Sequence, residues 1–335
     1  MHLYTVFGLV VESTLELPVE KLERRATGQP IDVTVQVRGV LDGSSSHAGA
    51  SRSISASPSE VMLYWEDVGQ YCVRDGRQID IRPYPGVPAH VLSLFVTGTA
   101  FAMLLFQRGY TVLHGSVAEI DSYGVGFLGS KGVGKSTLAM SMQQMGGSLI
   151  ADDLLTVQTD SRPIALPGFH QVKLWPDSLR QLGYQPDDLD RLRPELEKRG
   201  IPFADPHRPQ PTPLHYLFVV QQSDEIGIVP LNEKCALLAL LPHWYPARFG
   251  TTVVRQLQAQ PTQFMQCVAL AQGTRVSVLK RPFSLTALPQ VIEAVRSYVA
   301  TNATSADDTS APSRAASART EGLAFAACPG EVQSR

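Results

Sequence analysis

The chain has 335 residues, enough for two domains or for one α/β domain with additions. Its 29 Lys and Arg residues nearly balance 31 Asp and Glu residues, and no block of basic residues stands out. Nothing in this balance favours a nucleic-acid or anionic-membrane surface, so neither is expected as a partner. The N-terminus lacks the charged and apolar pattern of a signal peptide, which predicts a cytoplasmic location.

Residues 1–88 are predicted to form a small β-rich unit, because β-branched residues recur at 3–11, 31–37 and 78–81. The next segment, 89–107, contains no Asp, Glu, Lys or Arg and is nearly long enough to cross a bilayer. Ser and Thr interrupt this apolar run, and no basic cluster precedes it. We therefore expect a buried helix that ends at Arg108-Gly109.

Residues 129–136 match the phosphate-binding pattern G-x-x-x-x-G-K-[ST] in full. In that pattern backbone N–H groups and the N-terminus of a following helix surround phosphate oxygens. An apolar run at 125–128 and helical spacing after the loop supply the strand–loop–helix context that the motif requires. The sequence therefore predicts a nucleoside triphosphate site. The expected contacts are Gly129, Ser130, Lys131, Gly132, Val133, Gly134, Lys135, Ser136 and Thr137.

Within this motif Lys135 is expected to reach the β- and γ-phosphates, and the Ser136 hydroxyl to ligate Mg²⁺. An apolar strand at 148–151 then leads to two adjacent carboxylates, Asp152 and Asp153. Consecutive residues of a strand point to opposite sides, so one carboxylate can face the metal and the other an attacking hydroxyl, unless the chain turns between them. Carboxylates with different neighbours hold different pKa values, as a general base requires.

His114 lies in a strand one turn before the strand of the glycine loop, so the two strands are predicted to pair as a hairpin. That pairing would bring His114-Gly115 near the phosphates. A lone histidine in a strand is more often a core residue than a catalytic one, and its spacing alone leaves both roles open.

Together, the run 113–117, the glycine loop and Ala151-Asp152-Asp153 resemble the catalytic domain of HPr kinase/phosphorylase. More closely, the chain resembles the HPr-kinase-like proteins encoded with peptide natural products such as lasso peptides, which also fits its segments 4–8 and 167–176. The resemblance implies an α/β fold in which residues 89–300 form a P-loop domain of the HPr kinase C-terminal and phosphoenolpyruvate carboxykinase-like type. Residues 301–335, rich in Ala, Ser and Thr, are predicted to be a disordered tail.

That family implies a kinase that uses ATP and Mg²⁺ to phosphorylate a serine hydroxyl. Here the acceptor would be a peptide or small protein, and the resemblance to the lasso-peptide subgroup implies a ribosomally made precursor. Lys135 and Ser136 would hold phosphate and Mg²⁺, and His114 would lie against the Asp pair. We favour Asp153 as the base and Asp152 on the metal side, although the sequence leaves this order open. HPr kinases are hexamers, so a homo-oligomer is also implied, without identifiable interface residues.

The chain departs from the family after the Asp pair, where a Glu-Ile-Arg-Gly segment is replaced by residues 167–175 without an acid. This change argues against the reverse phosphorylase reaction and against HPr as the substrate. Lys173 in this stretch is a candidate to neutralise the transferring phosphate. Arg199, expected on a helix, is a candidate arginine finger, and Arg248 is a similar candidate. For each of these three residues a solvent-exposed side chain is the alternative.

Other functions fit the same motifs. A small-molecule kinase would need a closed acceptor pocket, whereas a peptide kinase needs a long open groove. An HPr-type regulatory kinase would use the same residues. A protein that senses ATP without transferring phosphate has little need of a base beside the γ-phosphate, so the Asp152-Asp153 pair argues against it.

Overall fold

The first seven strands form one mixed sheet in the computed structural model, which describes residues 1–22, 30–41, 51–203, 209–258 and 260–303. The strands are β1 (His2–Val6), β2 (Leu9–Ser13), β3 (Val33–Val37), β4 (Arg52–Ala56), β5 (Glu60–Trp65), β6 (Gly69–Arg74) and β7 (Gln78–Pro83). Their order is β1-β2-β3-β7-β6-β5-β4, with β3 parallel to both neighbours. The run predicted at 3–11 is two strands, because the chain turns at Phe7 and Gly8 with φ of 53° and 74°.

A continuous apolar helix follows, made of α1 (Ala89–Phe95), a π-helical turn (Val96–Ala100) and α2 (Phe101–Gln107). Among the described residues it is the one helix long and apolar enough to cross a membrane, and 72% of its most apolar window is buried inside the protein. The prediction of a buried helix is confirmed. It ends where expected, since Arg108 caps it and Gly109 has a φ of 84°.

The next strands pair in a way that positions the glycine loop and the Asp pair. They are β8 (Thr111–Ile120), β9 (Tyr123–Leu128), β10 (Ser148–Ala151), β11 (Leu154–Gln158) and β12 (Ile164–Ala165), with α3 (Lys135–Gln144) after β9. β8 and β9 form the predicted hairpin, whose turn residues Asp121 and Ser122 both have positive φ. β10 and β11 pair with two successive stretches of β8, which leaves Asp152 and Asp153 opposite the middle of that strand.

A small three-stranded sheet comes next, in the order β13-β15-β14. Its strands are β13 (Gln171–Leu174), β14 (Arg191–Arg193) and β15 (Leu196–Pro202). Between the first two lie α4 (Pro176–Gln181) and a 3₁₀ turn (Pro186–Asp188). All the pairings of this sheet are antiparallel.

The remaining strands complete the sheet of the glycine loop. They are β16 (Thr212–Gln222), β17 (Gly227–Pro230) and β18 (Arg275–Arg281). β16 runs parallel to both β9 and β18, so the carboxyl ends of these three strands meet at one edge of the sheet. The helices of this part are α5 (Glu233–Leu240), α6 (Thr251–Gln256), α7 (Gln260–Gly273) and α8 (Leu288–Ala303), with 3₁₀ turns at Leu241–His243, Tyr245–Phe249 and Leu285–Ala287. The tail predicted from 301 begins inside α8, and 304–335 lie outside the described residues.

One hydrophobic core joins the N-terminal sheet, the helix 89–107 and the inner strands β8 and β11. Three rings meet in it: Phe7, Phe101 and Phe169, with centroids 5.1–6.0 Å apart. The Phe7 N–H also donates to the Pro167 carbonyl at 2.8 Å. A second core lies between the sheet and helices α3 and α8. The division predicted between residues 88 and 89 therefore passes through one continuous core.

Candidate active site

The glycine loop links the end of β9 to the start of α3 through three glycines with positive φ. Gly129, Gly132 and Gly134 have φ of 148°, 90° and 97°, a backbone region that side chains with a Cβ disfavour. A Cβ at Gly129 would also lie 2.9 Å from the Val220 carbonyl oxygen on β16. The loop therefore needs glycine both for its turns and for its close approach to the neighbouring strand.

Lys135, the first residue of α3, is buried and folds back over the loop. Its Nζ donates to the carbonyl oxygens of Gly129 at 2.9 Å and Ser130 at 3.1 Å. Burial lowers the pKa of this amine to about 8, although Asp152 and Asp153 act in the opposite direction. When Lys135 turns toward an anion, it gives up these two hydrogen bonds to the loop carbonyls.

Asp152 and Asp153 lie at an abrupt turn between β10 and β11. The N–H of Leu154 donates to the Asp152 carbonyl at 2.9 Å, and Asp153 has a φ of 70°. These features define a γ-turn with positive φ, the rarer and more strained form of that turn. Because the chain turns here, the two carboxylates do not point to opposite faces as they would in a strand, and both line the same cavity. The sequence left open whether the chain turns between Asp152 and Asp153, and in the structure it does.

The two carboxylates have different neighbours. Asp152 accepts hydrogen bonds from Ser116 Oγ at 2.6 Å and from the Lys173 N–H at 3.2 Å. Asp153 pairs instead with Lys173 Nζ at 3.2 Å and with His114 Nδ1 at 3.1 Å. Burial alone would raise the pKa of the Asp153 carboxyl, but Lys173, His114 and Arg248 hold it well below its usual 3.8. Asp153 is thus ionised at neutral pH.

His114 connects the Asp pair to Arg248. Its Nδ1 lies 3.1 Å from Asp153 Oδ1 and also 3.1 Å from Arg248 Nη1. A single ring nitrogen donates to the carboxylate or accepts from the guanidinium, but does not do both at once. Arg248 is held by cation–π contact with the Tyr245 ring, 4.9 Å from its centroid. Both candidates, His114 and Arg248, therefore lie beside Asp153.

The glycine loop and the Asp pair open into one cavity of about 600 Å³. Six cations line it: Lys131, Lys135, Lys173, Lys198, Arg248 and Arg281. Three carboxylates, those of Asp152, Asp153 and Asp177, are also present. Trp175, Phe283 and Leu285 add apolar side chains to its lining. The cavity is suited to a ligand with a polyanionic part and a flat apolar part.

The expectation for Arg199 is wrong. This residue lies on strand β15 rather than on a helix, and its pairing partner is Leu174 on β13. Its guanidinium is buried, donating to the carbonyls of Pro186 and Glu197, and it does not line the cavity. The neighbouring Lys198 lines it instead. A helix was expected here, but strand pairing with a residue 25 positions away sets the direction of the side chain.

Ser116 and Arg281 are among the residues of the site that were missed from the sequence. Ser116 is two residues after His114 on β8, so strand alternation places both on one face, and this spacing could have identified it. Arg281 ends β18, and the meeting of parallel strand ends could have identified it. Its Nη1 is buried without a hydrogen-bond partner among the described residues and lies 3.0 Å from the position of a Cβ on Gly134. An anion in the glycine loop would satisfy it.

The donor set also suits Mg²⁺. This ion prefers oxygen ligands and is usually held by one or two carboxylates together with substrate phosphates and water, not by a cage of protein ligands. Asp152 and Ser136 supply such oxygens in the same cavity. In the described part of the chain no group of three or more His, Cys, Asp or Glu residues forms a site for another metal.

Comparison with known proteins points in one direction. No protein-family model matches the chain. An HPr kinase/phosphorylase of Prosthecochloris aestuarii is 26% identical over 98 residues, which is 28% of this chain and 29% of that protein. Another, of Chlorobium phaeobacteroides, is 30% identical over 87 residues, 25% of this chain and 26% of that protein. This chain is similar in part to HPr kinase/phosphorylase.

The chain thus matches less than a third of the length of these curated relatives. Among solved structures, the Hpr(Ser) kinase/phosphatase from Coxiella burnetii aligns with 57% of this chain and 97% of its own. That alignment has 12% sequence identity and a TM-score of 0.28.

Proposed function

We propose that this protein is an ATP-dependent kinase that transfers the γ-phosphate to a serine hydroxyl of a peptide or small protein. The observation that carries the proposal is the γ-turn at Asp152-Asp153, which presents two carboxylates to a cavity with six cations beside a glycine loop. The partial similarity to HPr kinase/phosphorylase supports it. The resemblance of the sequence favours a ribosomally made, lasso-type precursor peptide as the acceptor, with the reaction in the cytoplasm.

In the proposed reaction the serine oxygen attacks the γ-phosphorus in line with the bond to the leaving ADP. A new O–P bond forms as the bond to the β,γ-bridging oxygen breaks, and the hydroxyl proton passes to Asp153. Catalysis of this kind depends on positioning and charge neutralisation more than on a strong base. A carboxylate of low pKa beside Lys173 and His114 fits that requirement.

The remaining residues hold the triphosphate. The N–H groups of the loop and the N-terminus of α3 bind phosphate oxygens, with Lys135 turning from Gly129 and Ser130 toward them. Arg281 directs its unpaired Nη1 to the same phosphates. Mg²⁺, held by Ser136 and Asp152, would supply charge neutralisation between the phosphates. Lys173 lies in the stretch that lacks the family's acid and adds positive charge beside Asp153, and we propose the kinase reaction without a phosphorylase reaction.

The test is phosphate transfer to serine-containing peptides with ATP and Mg²⁺, followed by mass spectrometry. We expect Asp153→Asn to reduce kcat by about 10²–10⁴-fold, the usual contribution of a general base. Asp160→Asn, which removes an exposed carboxylate outside the cavity, is the matched control and should leave kcat unchanged. Full transfer by Asp153→Asn would overturn the base assignment, and normal ATP turnover by Lys135→Ala would overturn the nucleotide site.

A further inference from the structure

We call the cavity of the glycine loop and the Asp pair the phosphate cavity. A second cavity, of about 720 Å³, lies next to it. Three parts of the fold form its walls: the segment after β2, one face of helix α1, and the edge of the small sheet around β14. Leu94 and Leu192 line both cavities, so the two spaces meet at these side chains. The second cavity therefore lies directly beside the phosphate cavity, with these two side chains between them.

The π-helical turn brings this second cavity close to the proposed base. Thr97 lines the cavity, and the next residue, Gly98, lies against Asp153, since a Cβ on Gly98 would be 3.9 Å from Asp153 Oδ2. π-Helical turns insert one extra residue in a helix and occur often at functional sites. The wall of the second cavity at Thr97 is therefore one residue from a position that faces Asp153.

The two cavities differ in charge. The phosphate cavity has six cations, whereas the second cavity has a single Arg or Lys, Arg191, beside three acids, Glu16, Asp188 and Asp190. Arg191 already pairs with Glu197 at 2.8 Å, and Glu16 with Lys21. The carboxylates of Asp188 and Asp190 have no ion pair or side-chain hydrogen bond within the described part of the chain. This cavity thus disfavours phosphate and attracts a cation.

We propose that the second cavity binds the acceptor as an extended peptide segment, with a basic side chain against Asp188 and Asp190 and its serine at Leu94 and Leu192. This proposal rests on the proposed function, because it assumes that Asp153 receives the proton of an acceptor hydroxyl. It adds that the acceptor approaches from the second cavity and that the acceptor carries a positive charge near its serine.

The test uses synthetic ten-residue serine peptides that differ only in carrying lysine, glutamine or glutamate beside the serine. Binding is measured by fluorescence anisotropy, and transfer with ATP and Mg²⁺ by mass spectrometry. We expect the lysine peptide to bind tightest, and Asp188→Lys with Asp190→Lys to weaken its binding roughly 2- to 30-fold, as expected for two exposed ion pairs. The double variant Asp224→Lys with Glu225→Lys has the same charge change on an exposed loop and should leave binding unchanged.

The outcomes separate the two proposals. Equal binding of the three peptides, or equal loss in both double variants, would overturn the acceptor site even if phosphate is transferred. A charge preference that depends on Asp188 and Asp190, without transfer to any peptide, would support the site and overturn the kinase. The rate of ATP hydrolysis without peptide should be equal in both double variants, because neither changes the phosphate cavity.

Discussion

At the residue scale the pKa of Asp153 is governed by the cations around it. Lys173 Nζ is the nearest lysine amine, at 3.2 Å, and it helps hold the pKa of the carboxyl well below 3.8 against the effect of burial. Replacing Lys173 by Met removes that charge but keeps the apolar stem, so the pKa of Asp153 should rise. We expect the acidic limb of the kcat/KM profile to move to higher pH.

The matched control for this prediction is Lys131→Met, which removes a cation from the same cavity without touching Asp153. Its acidic limb should stay at the wild-type position, even if KM for ATP increases. An unchanged acidic limb in Lys173→Met would show that Lys173 does not set the pKa of the base.

Lys135 gives a second prediction at this scale. Burial lowers its pKa to about 8, and a polyanionic triphosphate favours the charged amine and raises that pKa. ATP binding should therefore take up a fraction of a proton at pH 8.5 and much less at pH 6.5, where the amine is already protonated. Calorimetric titrations in buffers of different ionisation enthalpy measure this uptake. Lys135→Arg, which stays charged, should show no uptake, and equal uptake in both proteins would contradict the assignment.

At the element scale the hairpin β8–β9 depends on the absence of a side chain at Gly115. A Cβ there would lie 2.7 Å from both the Phe127 carbonyl oxygen and Leu128 Cδ2. Because a backbone oxygen does not move aside, Gly115→Ala should lower the free energy of unfolding by about 1–3 kcal/mol. Gly98→Ala is the matched control, since its Cβ has an ordinary contact of 3.9 Å and should change stability by less than about 1 kcal/mol. Urea unfolding measures both, and equal stability of Gly115→Ala and wild type would contradict the packing.

The same elements show what the sequence could predict. The hairpin and the strand–loop–helix were predictable because their signals are local: a turn at Asp121-Ser122 and glycines at fixed spacing. The γ-turn at Asp153 was not predictable, because neither Asp152 nor Asp153 is a glycine. The turn is imposed by the pairing of β10 and β11 with one strand, β8. Arg281 is about 150 residues from the glycine loop, so strand order alone brings them together. The same holds for Arg199, whose direction follows from pairing with β13.

At the scale of the whole molecule, the shared core makes a prediction about residues 1–88. Helix 89–107 packs against the N-terminal sheet, and Phe7 contacts both Phe101 and Phe169. A chain consisting of residues 89–303 should therefore lose the cooperative thermal transition of the full-length protein and its near-ultraviolet circular dichroism, because removal of the sheet exposes one side of that core. A chain of residues 1–303 is the control and should unfold like the full-length protein. Cooperative unfolding of 89–303 at the same temperature would show that residue 88 is a true domain boundary.

The buried helix 89–107 also has a consequence for synthesis. It leaves the ribosome together with the N-terminal sheet, but β8, β11 and the later strands that complete the core on its other side are not yet made. At ~5–20 residues per second, translation from Gln107 to Arg281 takes roughly 9–35 seconds. During that interval one of the most apolar segments of the chain is only half covered. Chaperone capture and aggregation compete for the nascent chain in this window, and the rate of translation after residue 107 sets its length.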